Sequence, residues 1–261
     1  MAQFDQTISV LPKRATGRWP VQPNLLTNTL SVLGAVFFSA SAAYVLLASH
    51  LSLGPKVFAS AAALLLLIFT IVIYALPHHP YVRFGYANLV TAVRAAITSI
   101  VAALVVFSLD IYWQATLPWV LVGLVVAALV LDGVDGYLAR RLRQESTLGA
   151  RFDMEIDALL IMVLSVAAMA LGKAGWWVLL IGLMRYGFLI AQWAIPTLRG
   201  ELPSSLRRKT VCVVQGVALC FVLTPFVTVP QSTAIAAIAL GLLVYSFTVD
   251  TVYLFTHRAS A

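Results

Sequence analysis

The 26 residues from Asp132 to Asp157, DGVDGYLARRLRQESTLGARFDMEID, form an acidic island between two apolar stretches. They contain six of the ten acidic residues in the chain. On a helix, Asp132 and Asp135 share one face, because residues three or four apart lie on the same side. Asp153 and Asp157 share a face of a second helix in the same way. The spacing therefore predicts two helical faces that each carry two carboxylates, joined by a short basic turn.

Four carboxylates that face one another repel strongly and titrate abnormally. Divalent cations relieve this repulsion, and an all-oxygen ligand set suits Mg²⁺, Mn²⁺ or Ca²⁺ better than zinc. We therefore expect a cation site at this junction. The alternative is a set of carboxylates that cap helix ends, with Asp153 near the positive end of a helix dipole. Capping accounts for one carboxylate at this spacing, but not for four.

The composition of the chain predicts an integral membrane protein. Hydrophobic residues make up 61% of the 261 residues and charged residues only 10%, whereas soluble domains have roughly 25% charged residues. The net charge of +7 fits cytoplasmic loops and anionic lipid. The sequence contains no basic run with interleaved aromatic residues, so nothing in it indicates a nucleic-acid partner. Cys212 and Cys220 lie about 12 Å apart along a helix, too far for a disulfide, and are expected to be buried packing residues.

Eight apolar segments are long enough to cross a bilayer, so the predicted fold is an all-α polytopic bundle of about eight transmembrane helices. Residues 1–27 are polar and rich in proline, and are expected to form a cytoplasmic N-terminal segment. The eight predicted spans are residues 28–50, 56–76, 87–108, 116–142, 148–172, 175–196, 208–225 and 232–256.

The basic residues predict the orientation of the bundle. If both termini are cytoplasmic, nearly all Lys and Arg residues lie on the inner side, and only Lys56 and Lys173 lie outside. This orientation puts the Asp132–Asp157 junction at the cytoplasmic face.

Three charged residues, Arg94, Arg185 and Asp250, fall within predicted spans. Charges in hydrocarbon usually face a partner or a cavity. We expect them to line one cavity, open to the cytoplasm, together with the aspartates. The alternative for Arg94 and Asp250 is that they reach out to the membrane interface.

The acidic island resembles the signature of the CDP-alcohol phosphatidyltransferase family, D-x-x-D-G-x-x-A-R-x8-G-x-x-x-D-x-x-x-D, at every defined position. The resemblance implies a six-helix core, here residues 77–261, preceded by two additional helices at 28–76. It implies a phospholipid-synthesising transferase, commonly a homodimer, whose lipid donor is CDP-diacylglycerol and whose acceptor is a small alcohol. CMP is the second product. We expect such an enzyme in a bacterial inner membrane. The matching residues are Asp132, Asp135, Gly136, Ala139, Arg140, Gly149, Asp153 and Asp157.

The resemblance also implies roles for these residues. The four aspartates would hold Mg²⁺ or Mn²⁺, two ions in all, and Asp157 would share the metal site or act as the base on the acceptor hydroxyl. Gly136, Ala139, Arg140 and Gly149 would contact the nucleotide and phosphates of the donor.

A second segment, ANLVTAVR from Ala87 to Arg94, resembles the P-N-x-x-T-x-x-R stretch of several family members, with alanine in place of the proline. It implies that Asn88 and Thr91 approach the donor nucleotide or the metals. The alternative for Asn88 is a helix N-cap.

A third resemblance involves the segment Leu206–Thr210 and Arg185. Together they resemble the basic residues with which some members bind a phosphorylated acceptor such as glycerol 3-phosphate. The usual glycine before Lys209 is replaced by Arg208. Arg94, Arg185 and Lys209 are therefore the acceptor candidates.

Two other classes of protein are compatible with intramembrane charges. Intramembrane prenyltransferases use aspartates and magnesium, but their two acidic motifs lie far apart in sequence. Transporters carry charges within spans. In this chain the charges cluster at one face, and no inverted repeat is evident.

Overall fold

The fold is an all-α bundle, as the sequence predicts. The computed structural model describes residues 23–51, 53–78, 81, 83–107, 116–142, 146–195, 198 and 205–258. Within these ranges the chain forms eight α-helices and no strand. The helices are α1 (Pro23–His50), α2 (Pro55–Ala75), α3 (Tyr86–Phe107), α4 (Leu117–Leu142), α5 (Thr147–Ala170), α6 (Leu179–Ala194), α7 (Leu206–Val222) and α8 (Gln231–Arg258).

Six of these helices, α1 to α4, α6 and α8, are long and apolar enough to cross a membrane. The other two predicted spans are helices of a different kind. The first part of α5 carries several charged residues of the acidic island. The 17 residues of α7 begin with a basic run, Arg207, Arg208 and Lys209. α5 therefore falls short of the apolar helices because of its charged residues, and α7 because of its length.

The helix ends follow local signals. Pro55 opens α2, where a missing backbone N–H costs nothing. Ser146 caps α5, and its hydroxyl accepts a hydrogen bond from the Gly149 backbone N–H at 3.0 Å. α1 begins at Pro23, five residues before the predicted span. Residues 1–22 of the predicted N-terminal segment lie outside the described residues.

The centre of the bundle is α3. It packs against α1, α2, α4 and α5. In its most apolar window 72% of the residues are buried, against 28% or less in the five other candidate spans. α5 connects this centre to α6 and α7, and α8 packs against α6 and α7. The acidic island therefore lies on α4 and α5, where both helices contact α3.

α5 and α6 approach each other closely at Gly182. A Cβ atom at this position would lie 2.6 Å from the Met162 Cα atom and 2.9 Å from its sulfur. Backbone cannot move away as a side-chain tip can, so the contact requires glycine. Gly187, on the same helix, has open space where its Cβ would lie.

We expect Gly182→Ala to destabilise the protein by about 1–3 kcal/mol, because the new methyl group overpacks the α5–α6 contact. Gly187→Ala is the matched control and should leave stability unchanged or raise it slightly, since alanine favours helix. Thermal unfolding of the purified protein in detergent measures both. Equal melting temperatures for the two variants would contradict this account of the contact.

Candidate active site

Four carboxylates from two helices converge on one guanidinium group. The Arg94 side chain reaches from α3 and forms ion pairs with Asp132 and Asp135 of α4, each at 2.9 Å. It also forms ion pairs with Asp153 and Asp157 of α5. The sequence predicted that the four aspartates would face one another, and the structure brings them together. It adds Arg94 as their common partner, so Arg94 does not reach out to the membrane interface.

The cluster is buried on one side and accessible on the other. Arg94 is 1% exposed and Asp135 is 4% exposed, whereas Asp153 is 36% exposed. Asp132 and Asp157 lie between these limits. Four carboxylates and one guanidinium carry a formal charge of −3. Because charge of one sign is costly in a partly buried site, this arrangement favours the binding of further cations from the accessible side.

The donor atoms of the cluster fit a divalent cation. Carboxylate oxygens of Asp132, Asp135 and Asp153 all lie within 4.8 Å of one another. Oxygen ligands are those that Mg²⁺ and Mn²⁺ prefer. Asp157 lies beside these three through its contact with Arg94. Three of the four residues predicted as metal ligands are therefore close enough together to hold a metal.

Thr91 joins the cluster from α3. Its hydroxyl lies 3.1 Å from an Asp135 carboxylate oxygen and 3.1 Å from the Ala87 carbonyl oxygen, and donates to one of them at a time. Because Thr91 and Arg94 are three residues apart, both face α4. Two side chains from successive positions on one face of α3 thus hold Asp135.

Asn88 lies one turn earlier on α3 and contacts the start of α5. Its side-chain amide donates to the Phe84 carbonyl oxygen at 2.5 Å. A Cβ atom at Gly149 would lie 2.5 Å from the Asn88 side-chain oxygen, so a side chain at this position would push the Asn88 amide away. Asn88 is 6% exposed and bonds within its own first turn. The structure thus brings Asn88 and Gly149 together at the junction of α3 and α5, while Thr91, one turn along α3, contacts α4.

The remaining donor-site candidates lie on α4. Gly136 follows Asp135 directly and is half-buried. The side chains of Ala139 and Arg140 lie outside the part of the chain that the structure describes. Their helix continues to Leu142, so both residues lie on the last turns of α4.

The described contacts of the acceptor candidates on α6 and α7 do not include the four aspartates. Arg185 forms an ion pair with Glu155 of α5 at 2.6 Å, and the Lys209 side chain is exposed at the first turn of α7. Asp250 bonds to Arg207 at 2.5 Å and to Arg208 at 3.3 Å. The described contacts of Asp250 therefore join α8 to α7, whereas the sequence grouped this residue with the aspartate cavity.

Cys212 is the site neighbour that the sequence did not identify. Its sulfur lies 3.9 Å from an Asp157 carboxylate oxygen, which makes α7 a further wall of the site. Cys220 is buried, and neither cysteine forms a disulfide. Packing of Cys220 in the bundle was predicted correctly. No sequence pattern distinguishes Cys212 from a packing residue, because its position depends on how α7 docks against α5.

The comparison with known families agrees with this geometry. The chain matches the CDP-alcohol phosphatidyltransferase family over residues 84–247, which includes α3 to α7 and most of α8. No curated protein and no solved structure matched the chain. The matched range covers well over half of the chain and begins after α2. The chain therefore belongs to the CDP-alcohol phosphatidyltransferase family, and it is a membrane-embedded transferase of substituted phosphate groups.

Proposed function

We propose that the enzyme transfers a phosphatidyl group from CDP-diacylglycerol to the hydroxyl of a small alcohol and releases CMP. The observation that carries the proposal is the convergence of four carboxylates at the junction of α4 and α5. The proposed setting is the cytoplasmic face of a bacterial inner membrane, since the basic residues favour that orientation. By family resemblance, the active form is a homodimer.

In the proposed reaction, the acceptor oxygen attacks the phosphorus atom that is esterified to diacylglycerol. The new O–P bond replaces the bond between this phosphorus and the bridging oxygen of the diphosphate. CMP leaves with that oxygen, and Asp157 takes the proton of the acceptor hydroxyl. Asp157 suits this role, because it is partly exposed and lies at the edge of the cluster that faces α7.

We propose that Asp132, Asp135, Asp153 and Asp157 hold two divalent ions, Mg²⁺ or Mn²⁺. When bound, these ions would neutralise the diphosphate oxygens and stabilise the charge on the departing CMP. Arg94 balances part of the carboxylate charge and fixes the aspartate side chains from the buried side. Its four carboxylate contacts favour this role over the acceptor role that the sequence suggested.

We propose that the donor nucleotide binds where α3 meets the last turns of α4 and the start of α5. Gly136, Ala139 and Gly149 are small and leave room for the donor. Arg140 would contact the donor phosphate. Asn88 and Thr91 border the same region from α3. A guanidinium suits this position because it binds phosphate in a bidentate manner.

We propose that Arg185 and Lys209 bind an anionic acceptor, with glycerol 3-phosphate as the first candidate. Arg185 is 30% exposed and is anchored by Glu155, two residues from both Asp153 and Asp157. Lys209 lies on α7 one turn from Cys212, which contacts Asp157. Arg185 and Lys209 thus lie on α6 and α7, the two helices that pack against α5 beyond α3, and α7 is the one that contacts the proposed base.

Asp157→Asn should lower CMP release by about 10²–10⁴-fold, because asparagine cannot accept the hydroxyl proton. Purified protein is assayed with CDP-diacylglycerol and a panel of acceptors. Cys212→Ala is the matched control, since it removes the neighbour of Asp157 without removing the carboxylate, and it should retain turnover within a few-fold. Near-normal turnover by Asp157→Asn would show that another group is the base.

Removal of divalent ions by a chelator should abolish CMP release, and Mg²⁺ or Mn²⁺ should restore it. Asp135→Asn should weaken Mn²⁺ binding by more than about 10-fold, measured by titration calorimetry, because Asp135 is the most buried ligand. Glu155→Gln is the control, since its described ion pair is with Arg185, outside the cluster. Full activity in protein shown to be metal-free would refute the metal proposal.

A screen of glycerol 3-phosphate, inositol phosphate, serine, inositol and choline should show the fastest CMP release with a phosphorylated acceptor. Arg185→Ala and Lys209→Ala should each lower kcat/KM for that acceptor by about 10–100-fold, the loss of one charge-assisted hydrogen bond. Lys56→Ala, at the start of α2, is the control. Stimulation by unphosphorylated alcohols alone would refute the acceptor proposal.

A further inference from the structure

Helix α1 precedes the residues that match the family. It is nevertheless hydrogen-bonded to the segment just before α3, the first helix of the active site. The Asn28 side-chain oxygen accepts a hydrogen bond from the Phe84 backbone N–H at 3.0 Å. A second bond lies deeper, where the Tyr44 hydroxyl donates to the Ala96 carbonyl oxygen at 2.6 Å. α1 is thus joined to α3 and to the residues before it by two polar contacts.

Packing between α1 and α3 is sparse in the region between these contacts. An apolar groove of about 680 Å³ lies there. Side chains of α1 and α3 form most of its lining, and most of them are apolar. The two polar contacts add to the packing between α1 and α3. The lining of the groove includes Ser31, Ala35, Ser39, Leu89, Val93 and Ile97.

The Asn28 contact, unlike the Tyr44 contact, is connected through Phe84 to Asn88. Phe84 is 1% exposed, and its backbone is bonded on both sides. Its N–H donates to Asn28, while its carbonyl oxygen accepts from the Asn88 side chain. The other end of the Asn88 amide lies against Gly149 at the start of α5. A single residue therefore joins α1 to the Asn88 side chain at the α3–α5 junction.

We propose that Asn28 is a positioning residue for the lipid donor. Asn28 holds the Phe84 backbone and thereby the Phe84 carbonyl oxygen, which accepts the hydrogen bond from the Asn88 side chain. This keeps the Asn88 side chain beside Gly149. Loss of the Asn28 oxygen leaves the Phe84 N–H without this acceptor, which frees the turn before α3 and lets the Asn88 amide shift. This inference assigns a function to α1, and it rests on the proposed role of Asn88 in donor binding.

Asn28→Leu, Asn28→Asp and Tyr44→Phe separate positioning from general stability. Leucine has a similar volume but no acceptor, whereas a carboxylate accepts the same N–H. We expect Asn28→Leu to raise KM for CDP-diacylglycerol by about 3- to 10-fold, the effect of one hydrogen bond. The kcat and the KM for the acceptor should change less than about 2-fold. Asn28→Asp should restore the donor KM, and Tyr44→Phe should leave it unchanged even if it lowers the melting temperature.

Hydrogen–deuterium exchange of the peptide that covers residues 84–91 gives a readout without turnover. It should be faster in Asn28→Leu than in wild type, and near wild type in the other two variants. An unchanged donor KM, an equal rise in Tyr44→Phe, or no rescue by aspartate would overturn the proposal. If wild type itself releases no CMP, the proposed function fails, and the exchange pattern alone then decides whether Asn28 holds this segment.

Discussion

The ion pairs between Arg94 and four aspartates are the interaction on which the arrangement of the bundle depends. A carboxylate in an apolar bundle is costly unless it is paired, and a buried pair stabilises only when its geometry is good. Here one guanidinium meets carboxylates from both α4 and α5. To do so, α3 has to lie between the two helices at the depth of the aspartates. α3 is also the most buried of the six apolar helices.

The sequence predicted the part of the site that depends on local spacing. Asp132 and Asp135, or Asp153 and Asp157, share a face on any helix, so the pairing of these carboxylates needed no tertiary information. Tertiary information was needed, however, to identify Arg94 as the partner of the cluster. Arg94 lies on a third helix, and its depth in the membrane indicated a polar neighbour without showing which one.

Contacts that depend on helix docking could not be predicted from the sequence. Cys212 is an ordinary residue in an apolar segment until α7 packs against α5 and brings it to Asp157. Gly182 and Gly149 are likewise two glycines among fifteen, and only the neighbouring Met162 and Asn88 show why a side chain is excluded there. The span prediction differed for a related reason. The charged residues of α5 and the 17-residue length of α7 separate these two helices from the six apolar ones.

The distribution of charge divides the site into two sides. The acidic side, on α4 and α5, is anchored by Arg94, and in the proposed function its remaining negative charge would attract metal ions and through them the diphosphate of the donor. The basic side, on α6 and α7, includes Arg185, which is paired with Glu155, and Arg207, which is held by Asp250 and Ser246. The Arg185–Glu155 pair is the more exposed of the two, and exposed pairs are weak and easily exchanged for a ligand anion. In the proposed function, the acidic side would therefore serve the phosphoryl transfer, and the basic side would bind the acceptor through Arg185.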